Sequence, residues 1–118
     1  MYMAATLQKL AYRNPKAVPA FEILKMATVN ASKALGFKDA DVLAVNKLAD
    51  IIMIDLSKPN MQPINNIVTN LVYAGSKDNV KLTMINGRIL YEDGKYFINE
   101  KVEDIYQKAQ EITSRLEK

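Results

Sequence analysis

A chain with no histidine and no cysteine has few ways of doing chemistry, and this one has neither among its 118 residues. Serine–histidine and cysteine–histidine nucleophile pairs have no members here, nor do zinc or iron sites built on imidazole or thiolate. Oxygen donors remain. Asp39 and Asp41 form a D-x-D that matches the start of a calcium loop, but Leu43 stands where a third side-chain ligand belongs and Ala44 replaces the turn glycine. Asp50 occupies the place of the long bidentate glutamate, so a plain turn is expected. Asp50 and Asp55 bracket an apolar run at an odd separation, which puts them on opposite faces of a strand and suits strand-end polar roles. Gly87 and Gly94 sit in turn signals rather than in a phosphate-binding loop, and neither nucleotide-binding glycine motif occurs. The six methionines are dispersed and read as core filler. Tyr73, Tyr91 and Tyr96 offer side chains for a pocket, but on β-rich segments aromatic residues usually serve packing, and packing is expected here. No catalytic or metal residue is assigned, and no substrate-binding residue is identified.

The elements that carry these residues are legible in the spacing of apolar positions. Met3, Leu7, Leu10 and Ala11 recur at helical spacing from Tyr2 to about Arg13, and Asn14-Pro15 ends that helix. Pro19 suits the first turn of a second helix. Its stripe is Ala20, Leu24, Ala27, Ala31 and Ala34, flanked by Phe21, Ile23 and Leu35 and stopped at Gly36. So small-residued a stripe implies close approach to another backbone. Asp50 to Leu56 predicts a strand apolar on both faces, which belongs inside a sheet or between layers. Pro59 and Pro63 force an irregular connection, and Ile67, Leu71 and Val72 predict a short helix closed near Gly75.

Val80–Ile85 and Arg88–Tyr91 flank Asn86-Gly87, the pair best suited to positive φ at both centres of a type I′ turn. Asp93-Gly94 repeats the signal before Lys95–Ile98, predicting a three-stranded meander. A final amphipathic helix is expected with Asn99 as its cap and Val102, Ile105, Tyr106, Ala109, Ile112 and Leu116 as its buried face. Glu100, Glu103 and Asp104 at its start, with Arg115 and Lys118 at its end, complement the helix dipole. The fold class is therefore α+β: N-terminal helices, a small antiparallel meander with one extra buried strand, and a C-terminal amphipathic helix in a single compact unit.

Composition narrows the setting. The formal charge is +3, but Lys and Arg are spread from Lys9 to Lys118 among acidic residues, so no nucleic-acid partner is expected. Apolar runs such as Met1–Ala5 and Ile51–Ile54 fall short of the roughly 20 residues of a membrane span, and no signal peptide is visible. With no cysteine, a cytoplasmic location is the expectation.

Four segments resemble a known family. Ala27-Thr28-Val29-Asn30-Ala31-Ser32-Lys33-Ala34-Leu35-Gly36 is similar to the A-T-x-N-(G/A)-A-x-A-L-G helix of amidohydrolase-superfamily enzymes, with Ser32 replacing an alanine. Lys47 to Asp55 resembles that family's K-x-A-D strand, Asn70 to Ala74 its L-V-Y-A segment, and Met84 to Leu90 its N-G hairpin. The order and spacing agree across all four, from about Leu7 to Phe97. The branch it most resembles is the methylthioadenosine/S-adenosylhomocysteine deaminases with related aminohydrolases and chlorohydrolases. Two family glycines are replaced, by Asp41 and Asn46, residue types that tolerate left-handed backbone.

The resemblance implies a C-terminal fragment: residues 1–37 a helical remnant of a (β/α) barrel wall, 38–98 part of a small β-rich domain, and 99–118 a terminal helix. It implies that zinc or another divalent metal is held in the parent enzyme by an H-x-H pair, two further histidines and an aspartate, motifs that do not occur here. The missing barrel portion is then the partner, with self-association through exposed apolar surface. The alternative is a free-standing, non-catalytic interaction module. For the parent, hydrolytic deamination of a purine-type nucleoside is expected, with triazine dechlorination or deamination as runner-up.

Overall fold

Pro19 caps the second helix with extended backbone, so its missing N–H falls where no helical bond is needed. This is one of several places where the local signal and the fold agree in the computed structural model, which describes residues 1–116. Helices α1 (Tyr2–Ala11), α2 (Ala20–Ala27), α3 (Val29–Ala34) and α4 (Ile67–Tyr73) form one layer. Its core is small: Ala5, Ile23 and Val72 are buried together, with Val18, Ala20 and Tyr73 packed against them. The Lys9 ammonium donates to the carbonyls of Pro15 and Ala17 at 2.8 and 2.7 Å and so folds the α1–α2 loop back onto α1. Asn66 caps α4 by accepting from the Thr69 N–H at 3.0 Å.

Burial departs from the spacing in this layer. On α1 the buried residue is Ala5, whereas Met3, Leu7 and Leu10 are 61%, 52% and 72% exposed. The expected single helix from Pro19 to Gly36 is broken at Thr28, whose φ of −123° and ψ of −94° separate α2 from α3. Ile23 and Ser32 are its buried residues, not the alanine stripe, of which Ala27 and Ala34 are exposed. An apolar stripe records a need for cover; here the chain covers Ala20, Leu24 and Ala31 in part and leaves Ala27 and Ala34 exposed.

The four strands are β1 (Ile51–Ile54), β2 (Val80–Ile85), β3 (Arg88–Glu92) and β4 (Lys95–Tyr96), antiparallel in the order β1-β2-β3-β4. Asn86 and Gly87 have φ of 47° and 77°, as the type I′ reading requires, and Asp93 and Gly94 repeat it at 44° and 84°. The last strand is two residues long and stops at Tyr96, short of the expected Ile98. The α+β class and the meander with one extra strand are as expected. The burial of that extra strand is not: β1 ends the sheet, with Ile52 and Met53 61% and 52% exposed.

Helix α5 (Val102–Leu116) forms where its apolar period lies but buries no residue. Apart from the half-buried Val102, the expected buried face is in the open, from Ile105 at 38% to Leu116 at 82% exposed. Asn99 does not cap it; its side-chain oxygen accepts from the Arg88 guanidinium at 3.2 Å, and the helix begins three residues later. Lys118 lies outside the described residues. Among the described residues no helix is long and apolar enough to cross a membrane.

The chain spreads widely. Its radius of gyration is 17.8 Å, against about 13–14 Å for a compact domain of this length. Its accessible surface is 9346 Å², where a compact protein of this mass exposes about 6,500 Å².

Candidate functional site

The D-x-D segment closes on a lysine. Lys47 Nζ lies 2.9 Å from Asp41 Oδ1 and 3.6 Å from Asp39 Oδ1, and donates to the Lys38 carbonyl at 2.6 Å. Asp41 Oδ1 is shielded from solvent, and its close polar neighbour is the Lys47 ammonium. Lys47 holds the Asp41 carboxyl below its ordinary range, and Asp41 in turn raises the ammonium of Lys47. Asn46 supports the loop with φ of 67°, the left-handed backbone expected of a glycine replacement, while Asp41 is not among the positive-φ residues. The Leu48 N–H closes the loop onto the Asp39 carbonyl at 2.7 Å. Both carboxylates thus serve a loop clamp.

Beneath this loop lies an apolar cleft of about 470 Å³ between α3 and β1, bordered by Ala31, Phe37, Asp41, Leu48 and Ile52. Ser32 reaches it too, but its hydroxyl donates to the Phe37 carbonyl at 3.1 Å. The cleft offers shape and apolar surface without a nucleophile and base in reach of each other. A second cleft of about 660 Å³ runs along the sheet past Lys58, Lys77, Thr83, Tyr91 and Tyr96. Its tyrosine rings stack at a 57° tilt with centroids 5.1 Å apart, and Lys58 is engaged by the Asp78 carbonyl. Tyr73, the third tyrosine singled out, packs edge-on against Tyr2 at 6.4 Å.

Asp50 and Asp55 hold strand ends, as their positions suggest. Asp50 Oδ1 accepts from the Asn86 N–H at 2.6 Å and so ties the start of β1 to the hairpin turn. Asp55 Oδ1 accepts from the Ser57 hydroxyl and N–H at 2.6 and 2.8 Å, and these bonds lower its pKa. The fully buried Asn79 escaped the sequence reading. Its amide accepts from the Ser76 N–H at 2.9 Å and donates to the Asp55 carbonyl at 3.2 Å. The available signal was the spacing of Ser76 and Asn79, a capping box around a one-turn helix.

A divalent metal, implied by the resemblance, does not fit the donors of this chain. Among the described residues no three carboxylates, histidines or cysteines come together to hold one, and the Lys47 ammonium already sits against Asp41 and Asp39. The structure therefore brings together two loop carboxylates and a lysine, and leaves Asp50, Asp55 and the tyrosines apart in scaffold roles.

The sequence profile described as the Amidohydrolase family matches residues 1–90. The 5-methylthioadenosine/S-adenosylhomocysteine deaminase 1 of Archaeoglobus fulgidus is 39% identical over 116 residues, covering 98% of this chain and 27% of its own length. A 5-methylthioadenosine/S-adenosylhomocysteine deaminase of Desulfovibrio desulfuricans is 45% identical, covering 81% of this chain and 22% of its own. Among solved structures, a zinc-bound adenosine deaminase from Xanthomonas campestris superposes with a TM-score of 0.92 at 27% identity, over 98% of this chain and 26% of that one. The zinc complex of atrazine chlorohydrolase from Arthrobacter aurescens gives 0.77 at 25% identity, over 93% and 25%. The chain spans about a quarter of the length of the curated relatives it matches.

Proposed function

The chain belongs to the amidohydrolase family, and from that membership we propose that it is the C-terminal portion of a metal-dependent hydrolase that deaminates a purine-type nucleoside such as methylthioadenosine or S-adenosylhomocysteine. Residues 1–37 then close a barrel wall, 38–98 form part of the small β-rich domain, and 99–118 add a terminal helix. The metal and the catalytic groups reside in the portion outside this chain, and no step of the chemistry runs through its own residues. Its role is to complete the enzyme's walls and hold them in register.

The observation that carries this reading is the excess surface. The chain exposes about 2,900 Å² more than a compact protein of its mass, several times the roughly 800 Å² that one partner contributes to a standard interface. Met3, Leu7, Leu10, Ile52 and Met53 contribute to it. A free-standing module would not leave so much surface uncovered. The deaminase names of the relatives favour deamination over the triazine chemistry named for one structural neighbour.

The test replaces the matching segment of the Archaeoglobus fulgidus deaminase with this chain. The chimera is expected to release ammonia from methylthioadenosine in the presence of zinc, while the 118-residue chain alone, given the same metal, is not. Ammonia release by the isolated chain, or a chimera that does not fold, overturns the reading.

A further inference from the structure

Helix α5 lies outside the family-wide match, which ends at residue 90, yet the superposition on a full-length deaminase extends over 98% of the chain. Its apolar residues Val102, Ile105, Ala109, Ile112 and Leu116 are spaced three and four apart in turn, the a and d seam of two heptads. Among the described residues none of this seam is fully buried, and only Val102 is half-buried. The flank at the g positions is basic, with Lys108 and Arg115 on the helix and Lys101 just before its first residue, while the carboxylates Glu103, Asp104 and Glu111 sit at b and c, away from the seam. Arg115 Nε donates to the Glu111 carbonyl at 3.3 Å and so stays on its own helix. Among the described residues the ion-pair partner of Lys108 is the exposed Glu100, at 3.6 Å.

These features select among the possible occupants. In an antiparallel pair of α5 helices the g positions face each other, so Lys101 would oppose Arg115 and Lys108 its own copy. A parallel pair would rest on two heptads, fewer than the three to four or so that mark a self-standing coiled coil. A second copy is therefore disfavoured on both counts. A docking surface outside this chain has no such conflict if it is apolar with carboxylates along one edge.

We propose that α5 is a docking helix whose seam packs on the portion of the enzyme outside this chain, in an apolar trough edged by carboxylates that pair with Lys101, Lys108 and Arg115. The proposal rests on the reading of the chain as part of a larger amidohydrolase, and it adds where and by what chemistry the C-terminal helix is held. Because α5 lies beyond the family-wide segment, its dock is an added brace on the shared fold.

The same chimera tests it, through thermal unfolding. Ile105→Asp with Ile112→Asp is expected to lower the Tm of the chimera by about 5–10 °C and to leave the Tm of the isolated chain unchanged. Lys101→Glu, Lys108→Glu and Arg115→Glu together are expected to lower the chimera's Tm by a smaller margin that shrinks in high salt. Equal Tm values for the folded, active chimera and its α5 variants overturn the docking proposal while leaving the functional reading intact. A chimera that neither folds nor deaminates removes both. If the isolated chain is a dimer in sedimentation velocity and the Ile105→Asp, Ile112→Asp variant a monomer, the occupant is a second copy and the proposal fails.

Discussion

Asn60 and Asn79 face each other as a reciprocal amide pair: the Asn60 NH₂ donates to Asn79 Oδ1 at 2.8 Å, and the Asn79 NH₂ donates to Asn60 Oδ1 at 3.2 Å. Nineteen residues apart in sequence, they join the turn after β1 to the entrance of β2. The Asn60 amide also reaches the Ala74 carbonyl at 2.8 Å, which ties in the end of α4. The helical layer and the sheet thus meet through a polar node.

Asn79 is 1% exposed, so truncating it strands several buried partners at once. Asn79→Ala should cost about 2–3 kcal/mol of stability, and Asn60→Ala, at a more exposed position, about 1 kcal/mol. Urea unfolding followed by circular dichroism measures both. Equal midpoints for Asn79→Ala and the parent chain would show that the node carries no stability.

The Asp41–Lys47 clamp sets a pH window. The Asp41 pKa is lowered below 3.8, so its contribution is fully present above that value and is lost as pH falls through the folded-state pKa. The Lys47 pKa is raised above 10.5, so its contribution is fully present below that value and is lost as pH rises through the folded-state pKa. Asp41→Asn should therefore destabilise the chain at neutral pH, with the difference from the parent closing in strong acid. Melting curves at stepped pH check this; a difference that stays constant into acid would refute it.

Two glycines should respond differently to a methyl group. Gly87 has φ of 77° and open space where a Cβ would project, so Gly87→Ala is expected to cost only the backbone strain of about 1–2 kcal/mol. At Gly75 a Cβ would lie 2.6 Å from the Leu71 carbonyl oxygen, forcing the end of α4 to shift. Gly75→Ala is expected to cost more, about 2–3 kcal/mol. Thermal unfolding of the two variants orders them.

The free edge of β1 carries no charge or proline between Ile51 and Ile54, and such an edge invites a further strand. The isolated chain is expected to self-associate with rising concentration, and Ile52→Lys to reduce this without loss of helix signal. Sedimentation velocity over a concentration series reads it. Unchanged association in Ile52→Lys would place the contact elsewhere.

What the sequence by itself determined were features whose causes are local. Asn86-Gly87 and Asp93-Gly94 specify positive φ within two residues, and both turns form. Asn46, standing where the resemblance places a glycine, adopts left-handed backbone, which Asn tolerates. Helix starts at Pro19 and stops before Pro15 need only neighbours along the chain. The absence of histidine and cysteine was likewise complete at the level of sequence. Burial was another matter. The spacing on α1, β1 and α5 marked faces that need cover, and the tertiary structure decided that Leu10, Ile52 and Ile112 get none from this chain. It also decided that Asp39 and Asp41 clamp Lys47, and that Asn79 gathers Asp55, Asn60 and Ser76. A period in sequence records which side of an element is apolar; which surface meets it depends on contacts between segments far apart.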